Sequence, residues 1–303
     1  MFTRKMTSAV AVAALGLATL AACGDSDPTD SGSSDSGSIT VGSAAFPEAE
    51  ILAEIYAQGL EAEGIKVERK LNTGPREVYI KALESGEIDL VPEYSGNLLS
   101  YYDPETTATS ADEIEDALDD ALPDSLEALD ASAAEDKDSL NVTKKFSDDN
   151  GVTSIADLKK VDGLKLGANP EFKTRSYGIP GLEKVYGITG IKFTPISDGG
   201  GPLTLKALLD GDVDVADIYS TTPSIAANNL VTLEDPENLI AAQNVLPLIR
   251  DDKASDKVED ILDKISAALT TEDLMALNAE NQGEKKAKPA DLAKKWLTEK
   301  GLI

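Results

Sequence analysis

KALESGEIDLVPEYS, residues 81–95, is repeated in diverged form as KALLDGDVDVADIYS, residues 206–220, and the two segments align without a gap. Each follows a Gly–Pro pair, Gly74-Pro75 in the first case and Gly201-Pro202 in the second. Proline just inside the start of a helix and glycine just past its end are the usual helix boundaries. Both segments therefore predict a short helix, a glycine stop, a buried strand and a polar turn that carries Tyr-Ser.

Tyr94 and Tyr219 occupy the same position in the two segments, directly after the predicted strand. In α/β folds, ligands bind beyond the carboxyl ends of the strands. Two lobes that each carry one such tyrosine would face each other across a cleft. The plainer alternative is that both are half-buried aromatic residues, but their matched position favours the cleft.

The rest of the chain alternates strands and helices in the same way. Residues 39–43 predict a strand, a helix begins at Phe46, and residues 65–71 alternate apolar and polar as a second strand. Residues 110–129 predict an acidic amphipathic helix, and Trp296 is expected to pack into a core. Such alternation is typical of doubly wound sheets. The predicted fold class is therefore α/β, with one doubly wound sheet in each of two lobes.

The chain is expected to pass between the two lobes twice. The first lobe would span residues 39–137 and 244–303, and the second would span residues 138–243. The chain would leave the first lobe along a short strand at 140–142 and return along another at 245–249. Both crossing strands are predicted from short apolar runs that are flanked by polar residues.

The composition excludes several classes of function. The chain has 303 residues, enough for two domains, and it contains no histidine and one cysteine. The commonest general base and metal ligand, internal disulfides and cysteine-cluster zinc sites are thus absent. A net charge of −27 excludes nucleic acid as a partner. An enzyme would need paired carboxylates or a Ser-Lys pair, and no convincing local motif supplies either. We therefore expect no catalysis, no cofactor and no metal.

The N-terminus reads as a targeting segment. Arg4 and Lys5 precede a short apolar run that ends in Ala-Ala-Cys-Gly, so residues 1–22 predict a lipoprotein signal peptide. Cys23 would then carry the lipid and hold the chain at the extracytoplasmic face of the membrane. The alternative is a secretory cleavage site with an incidental cysteine. Residues 23–38 are rich in Asp, Ser and Gly and predict a flexible tether.

Several blocks of this sequence resemble the glycine betaine/choline/osmoprotectant substrate-binding lipoproteins of ABC importers. The resemblance covers essentially all of residues 39–303, and its specific part is Pro-Glu-Tyr-x-Gly in context. The blocks are VGSxxFxE (41–48), ALxxGxIDxxPEYxG (82–96), EFxxR (171–175), GLxxVYG (181–187), VDV (213–215) with Tyr219, and LxD (233–235). The resemblance implies a type II, Venus-flytrap periplasmic-binding fold that closes on its ligand by hinge motion.

The resemblance also implies the ligand and the partner. The ligand would be a quaternary ammonium or zwitterionic osmoprotectant such as glycine betaine, proline betaine, carnitine or choline. Tyrosine faces would replace water around the methylated cation, and an arginine would hold a carboxylate with two parallel hydrogen bonds. A monomer of this kind would hand its ligand to an ABC permease. A different amino-acid-like solute, or a sensor role without transport, are the alternatives.

The family roles transfer to individual residues. The resemblance implies that Tyr94 and Tyr219 are cage residues, that Arg175 clamps the carboxylate, and that three polar residues of the first lobe contact the ligand. Those three are Ser43, Ser95 and Asn97. For Arg175 the alternative is an ordinary surface ion pair.

This sequence departs from the family at two cage positions. Some relatives carry tyrosines where it has Asp138-Ser139-Leu140 and Ala242-Gln243-Asn244. Phe46 or Tyr177 could compensate for the missing rings, and Gln243 is retained as a candidate contact. Asp138 could pair with a cationic ligand, but we interpret it as a solvated acid.

Overall fold

The computed structural model describes residues 37–303. The predicted signal peptide, Cys23 and most of the predicted tether lie outside the described residues. Within residues 37–303, no helix combines the length and the apolar character needed to cross a membrane.

The described chain alternates strands and helices throughout. The strands are β1 (Ile39–Ala44), β2 (Val67–Gly74), β3 (Leu90–Tyr94), β4 (Leu126–Ala128), β5 (Leu140–Thr143), β6 (Lys165–Ala168), β7 (Lys192–Pro195), β8 (Val215–Asp217), β9 (Leu230–Thr232) and β10 (Val245–Arg250). The α-helices are α1 (Pro47–Ala62), α2 (Arg76–Glu84), α3 (Ser95–Tyr102), α4 (Ala111–Ala121), α5 (Lys144–Asn150), α6 (Ile179–Tyr186), α7 (Pro202–Leu209), α8 (Ser224–Ala227), α9 (Asp256–Ala268), α10 (Thr271–Gln282) and α11 (Pro289–Lys300). Short 3-10 helices cover Ile155–Lys160, Pro170–Lys173 and Asp251–Lys253.

The strands form two five-stranded sheets, ordered β2-β1-β3-β10-β4 and β7-β6-β8-β5-β9. In each sheet, the strands joined by helices are parallel: β1 with β2 and β3, and β6 with β7 and β8. The crossing strands β10 and β5 run antiparallel to their neighbours. The predicted α/β class with one sheet per lobe is confirmed, and each sheet is mixed rather than wholly parallel. We call the halves built on these sheets the first lobe and the second lobe.

The repeated segment supplies a central strand to each sheet. The helix α2 is followed by Gly86 and β3, and α7 is followed by Gly211 and β8. Both glycines have positive φ, 75° and 78°, a left-handed conformation that residues with a Cβ adopt only at a cost. The two copies therefore deliver equivalent strand ends, one in each lobe.

The predicted helix over residues 110–129 is wrong in its second half. The helix α4 begins with a capping box between Ser110 and Glu113, as the acidic start indicates, but it ends at Ala121. Pro123 disfavours a helical conformation at the preceding residue, and Leu122 is extended with ψ 146°. The following residues form β4, which pairs antiparallel with β10 at the sheet edge.

The C-terminal helices complete the first lobe. The helix α1 packs against α9, α10 and α11, and Trp296 on α11 is buried in the same apolar cluster as Tyr56 of α1. The predicted core position of Trp296 is confirmed. A separate apolar cluster around Leu166 and Phe172 forms the core of the second lobe. Each lobe thus presents its strand ends from a packed core of its own.

Candidate functional site

A cavity of about 230 Å³ lies where residues of the two lobes meet. It contains five of the residues that the sequence singles out: Phe46, Tyr94, Asn97, Arg175 and Tyr219. Further lining residues are Ala44, Ala45, Gly74, Pro75, Arg76, Tyr79, Asp136, Asp138, Asn169, Pro170, Glu171, Ser197 and Gly199. The expectation of a cleft between the paired tyrosines therefore agrees with the geometry.

Three aromatic rings form one side of the cavity. The Phe46 ring lies between the two tyrosines, with its centroid 6.0 Å from that of Tyr94 and 5.1 Å from that of Tyr219. The hydroxyl of Tyr219 accepts a hydrogen bond of 3.0 Å from Asn169 Nδ2. Burial raises the pKa of both tyrosines, so their rings stay neutral. The trio offers ring faces to a cation that cannot donate hydrogen bonds.

Tyr94 is positioned by a buried carboxylate at the start of α1. Its hydroxyl donates to Glu48 Oε1 at 2.7 Å. Thr221 Oγ1 and Asn278 Nδ2 donate to the other oxygen, Oε2, at 2.6 and 2.5 Å. Glu48 is only 3% exposed. One carboxylate therefore joins a cleft tyrosine, the second-lobe segment after Tyr219 and the C-terminal helix α10.

A fully buried ion pair supports the first-lobe wall. Arg76 Nε and Nη2 each donate to one oxygen of the Glu93 carboxylate at 2.8 Å, and Tyr79 Oη donates to Oε1 at 2.7 Å. Glu93 is 0% exposed, while Arg76 and Tyr79 line the cavity. Glu93 also accepts from its neighbour's backbone N–H, that of Tyr94, at 2.8 Å. The pair thus fixes the strand end that carries Tyr94.

Arg175 forms an ion pair across the cleft. Its Nε and Nη2 lie 3.3 Å from the two carboxylate oxygens of Glu77 on α2, and its Nη1 donates to Tyr177 Oη at 2.9 Å. Burial opposes the Arg175 charge, but Tyr177 and Glu77 outweigh it and raise its pKa. Burial likewise opposes the charge of Glu77, but Arg175 outweighs it and lowers the pKa of Glu77. Arg175 therefore lines the cavity, and its guanidinium is already paired with a carboxylate of the first lobe.

Buried acids form the side of the cavity that carries the crossing segment. Asp138 is 7% exposed and accepts a hydrogen bond of 2.7 Å from Asn97 Nδ2, so its interpretation as a solvated acid is wrong. Asp136 accepts hydrogen bonds of 3.0 Å from Ser220 Oγ and from the backbone N–H of Thr221. Burial, and then the nearby Glu48, raise the pKa of Asp136.

Three expected contacts lie behind the cavity wall instead of lining it. Ser43 Oγ accepts from the backbone N–H of Asn72, and Ser95 Oγ accepts from that of Asn244. Gln243 forms two hydrogen bonds with Asn97, both of 2.9 Å. Its Oε1 accepts from the backbone N–H of Asn97, and its Nε2 donates to Asn97 Oδ1. Each of these polar side chains is buried near the end of a strand or helix. There it forms a hydrogen bond with a backbone or amide group that would otherwise lack a partner. Their geometry fits support of the wall and not ligand contact.

The sequence analysis did not identify several polar lining residues. Arg76, Tyr79, Asp136 and Asn169 were not singled out, although all four line the cavity. A signal existed for the ion pair, because Glu93 interrupts an otherwise apolar strand and buried carboxylates require a partner. Asp136 and Asn169 lie on loops, whose neighbours only the folded chain defines.

The comparisons with known proteins agree with this geometry. The family model described as the substrate binding domain of ABC-type glycine betaine transport systems matches residues 37–299. The glycine betaine-binding protein YehZ of Escherichia coli (strain K12) is 29% identical over 246 residues, which cover 77% of this chain and 81% of that protein. A glycine-betaine-binding protein of Pseudomonas aeruginosa is 26% identical over 276 residues, covering 85% and 86%.

Solved structures show the same fold. The crystal structure of a glycine betaine/carnitine/choline ABC transporter protein aligns with a TM-score of 0.67 at 22% identity, covering 87% of this chain and 99% of that one. Lactococcal OpuAC, in a closed conformation with glycine betaine, aligns with a TM-score of 0.64 at 16% identity, covering 87% and 96%. The two-lobed substrate-binding fold is thereby confirmed. The chain belongs to the family of substrate-binding domains of ABC-type glycine betaine transport systems.

Proposed function

We propose that this protein is an extracytoplasmic lipoprotein that captures a small methylated ammonium compound and delivers it to an ABC permease. The observation that carries the proposal is the aromatic trio of Phe46, Tyr94 and Tyr219 at a cavity between two lobes. The names of the relatives, which are glycine betaine-binding proteins, support the same ligand class. The protein would perform no chemistry on its ligand.

The charges of the cavity favour the cationic end of such a ligand. Two arginines line it, and each already faces a carboxylate, Glu93 for Arg76 and Glu77 for Arg175. Three further acids line the cavity: Asp136, Asp138 and Glu171. No lysine is among the described lining residues. An ammonium group would therefore meet both ring faces and carboxyl groups, and both attractions are stronger where water is excluded.

Closure of the lobes would complete this site. We propose lobe boundaries of 39–137 with 244–303, and 138–243, so that the hinge consists of the two crossing segments. The Glu77–Arg175 ion pair and the Glu48–Thr221 hydrogen bond both join first-lobe and second-lobe residues. Contacts of this kind stabilise a closed form, in which the ligand is removed from water.

Calorimetry of the purified protein tests the ligand class. The panel comprises glycine betaine, proline betaine, carnitine, choline, proline and a basic amino acid. We expect binding heat with one or more methylated ammonium compounds and none with proline, because proline lacks the methyl shell that the rings would enclose. Heat only with proline or the basic amino acid would contradict the proposed ligand class and support a different solute.

Arg175→Ala separates a carboxylate clamp from a closure contact. If Arg175 binds the ligand carboxylate, glycine betaine should lose about 1.5–3 kcal/mol, roughly 10- to 150-fold in affinity, while choline, which has no carboxylate, loses much less. Glu77→Gln is the matched control, because it removes the same ion pair and keeps the guanidinium and its hydrogen bond to Tyr177. Equal losses for both ligands in Arg175→Ala, reproduced by Glu77→Gln, would assign Arg175 to closure alone.

Cys23→Ser tests the lipid anchor. Lipid chains hold a protein at the membrane by burying methylenes, about 0.8 kcal/mol each, and serine cannot carry the thioether. We expect the variant to move from the membrane fraction to the soluble extracytoplasmic fraction in cell fractionation. Unchanged membrane retention of Cys23→Ser would contradict lipidation at this residue.

A further inference from the structure

Two buried carboxyl groups meet at the wall of the cleft. The strands β5 and β8 are antiparallel, with Leu140 opposite Asp217, and the N–H of Ile218 donates to the carbonyl of Ser139 at 3.0 Å. Continued through Ser139 and Lys137, this register puts Asp138 opposite Tyr219 and diagonal to Asp217 on the same face of the sheet, and contact with the Asp138 carboxyl is among the causes that raise the pKa of Asp217. Asp138 faces the cavity, and Asp217 is 2% exposed.

A hydrogen bond between two carboxyl groups requires a proton on one of them. Asn97 Nδ2 donates to one oxygen of Asp138, so that oxygen is already an acceptor. No N–H or hydroxyl of the described residues donates to Oδ1 of Asp217. Burial, and then the charge of Asp138, raise the pKa of Asp217. Two like charges in such contact cannot both persist away from water, so the pair holds one proton.

Few other charges face the pair. Arg175 approaches from the second lobe, but its guanidinium is engaged by Glu77. Among the described residues, the phenols of Tyr177 and Tyr219 also face Asp138, and burial raises the pKa of both. The pair therefore keeps a net charge of about minus one with its proton and minus two without it.

We infer that Asp138 and Asp217 form the anionic subsite of the cleft, and that the cationic group of the ligand replaces the proton that these two carboxyls share. This inference rests on the proposed function, because it requires a ligand with a positive charge. The exchange balances: the cation enters beside Asp138, Asp217 ionises, and the proton passes to the solvent. Because the proton and the cation compete for the same charge, affinity rises with pH.

Calorimetry in buffers of different ionisation enthalpy measures this proton directly. Choline chloride and glycine betaine are titrated into the purified protein in each buffer, from about pH 5 to about pH 8. Where the pair is protonated, we expect release of up to one proton per bound cation and an affinity that rises up to about ten-fold per pH unit. Asp217→Asn should bind with no proton release and little pH dependence, because the amide donates permanently to Asp138.

Asp136→Asn is the matched variant, because it neutralises another buried acid of the same cavity. It should retain the proton release that Asp217→Asn loses. The opposite result, with release lost only in Asp136→Asn, would overturn the inference and assign the proton to Asp136. Binding by the unaltered protein with no proton exchange at any pH would also overturn it, even if Asp217→Asn failed to fold. No binding of any methylated ammonium compound would instead contradict the proposed function itself.

Discussion

Arg76→Met is expected to lower the free energy of unfolding by about 3–5 kcal/mol, because it leaves a buried carboxylate without its counter-charge. Glu93 is 0% exposed and receives both donors of the Arg76 fork at 2.8 Å. Methionine restores much of the apolar stem but no charge. The remaining donors, Tyr79 Oη and the backbone N–H of Tyr94, are neutral. Urea unfolding followed by circular dichroism measures the loss.

Arg69→Met is the matched control for this prediction. Arg69 also contacts two carboxylates, those of Glu61, which is 40% exposed, and Glu54, which is 8% exposed, but its own side chain is 29% exposed and Gln58 Nε2 also donates to Glu54 at 3.1 Å. Water can reach the position of the lost guanidinium and Gln58 still donates to Glu54, so we expect a smaller loss of about 1–2 kcal/mol. The double variant Arg76→Met/Glu93→Gln should regain part of the stability, since it removes the buried charge. Similar losses in Arg69→Met and Arg76→Met would show that burial of the Arg76–Glu93 pair does not increase the cost of breaking it.

Tyr219→Ala is expected to weaken binding of a methylated ammonium ligand by up to about 2 kcal/mol, or roughly 30-fold. The variant removes a ring that packs edge to face on Phe46 at 5.1 Å, so the aromatic trio loses one face and its neighbour loses a packing partner. Calorimetry with choline and glycine betaine measures the effect. Because the cation interacts with the ring and not with the hydroxyl, Tyr219→Phe should bind almost as well as the unaltered protein.

The Tyr219→Phe control also separates the ring from its hydrogen bond. The hydroxyl accepts from Asn169, and the phenylalanine variant removes that contact alone. If Tyr219→Phe loses as much affinity as Tyr219→Ala, the hydroxyl and not the ring face is what the site requires, and the cage assignment fails. Tyr94 is a poorer target for the same test, because its hydroxyl also serves the Glu48 network that joins the lobes.

Much of the fold was predictable from local pattern. The repeated segment predicts β3 and β8 as equivalent strands, since the glycines after α2 and α7 end those helices by backbone conformation alone. The crossing strand β10 was also predictable, because its apolar run is continuous. The end of α4 was misjudged: apolar spacing continued past Ala121, while Pro123 and the pairing of β4 with β10 decided the conformation.

The site was predictable only in part. Phe46, Tyr94, Asn97, Arg175 and Tyr219 do meet at one cavity, and the matched tyrosines pointed to it. The supporting polar residues Ser43, Ser95 and Gln243 were expected on the cavity and lie behind it. A polar side chain near a strand end can face either a ligand or a backbone group, and sequence spacing does not distinguish the two.

The sequence by itself determined the α/β alternation, the doubling of one helix–strand unit and the paired tyrosines, because each depends on residues that are close along the chain. Only the tertiary structure decided which charges meet. The partnerships of Arg76 with Glu93, of Arg175 with Glu77 and of Asp138 with Asp217 join residues of different elements. Their charge states follow from burial and from neighbours brought together by folding, and no local pattern encodes either.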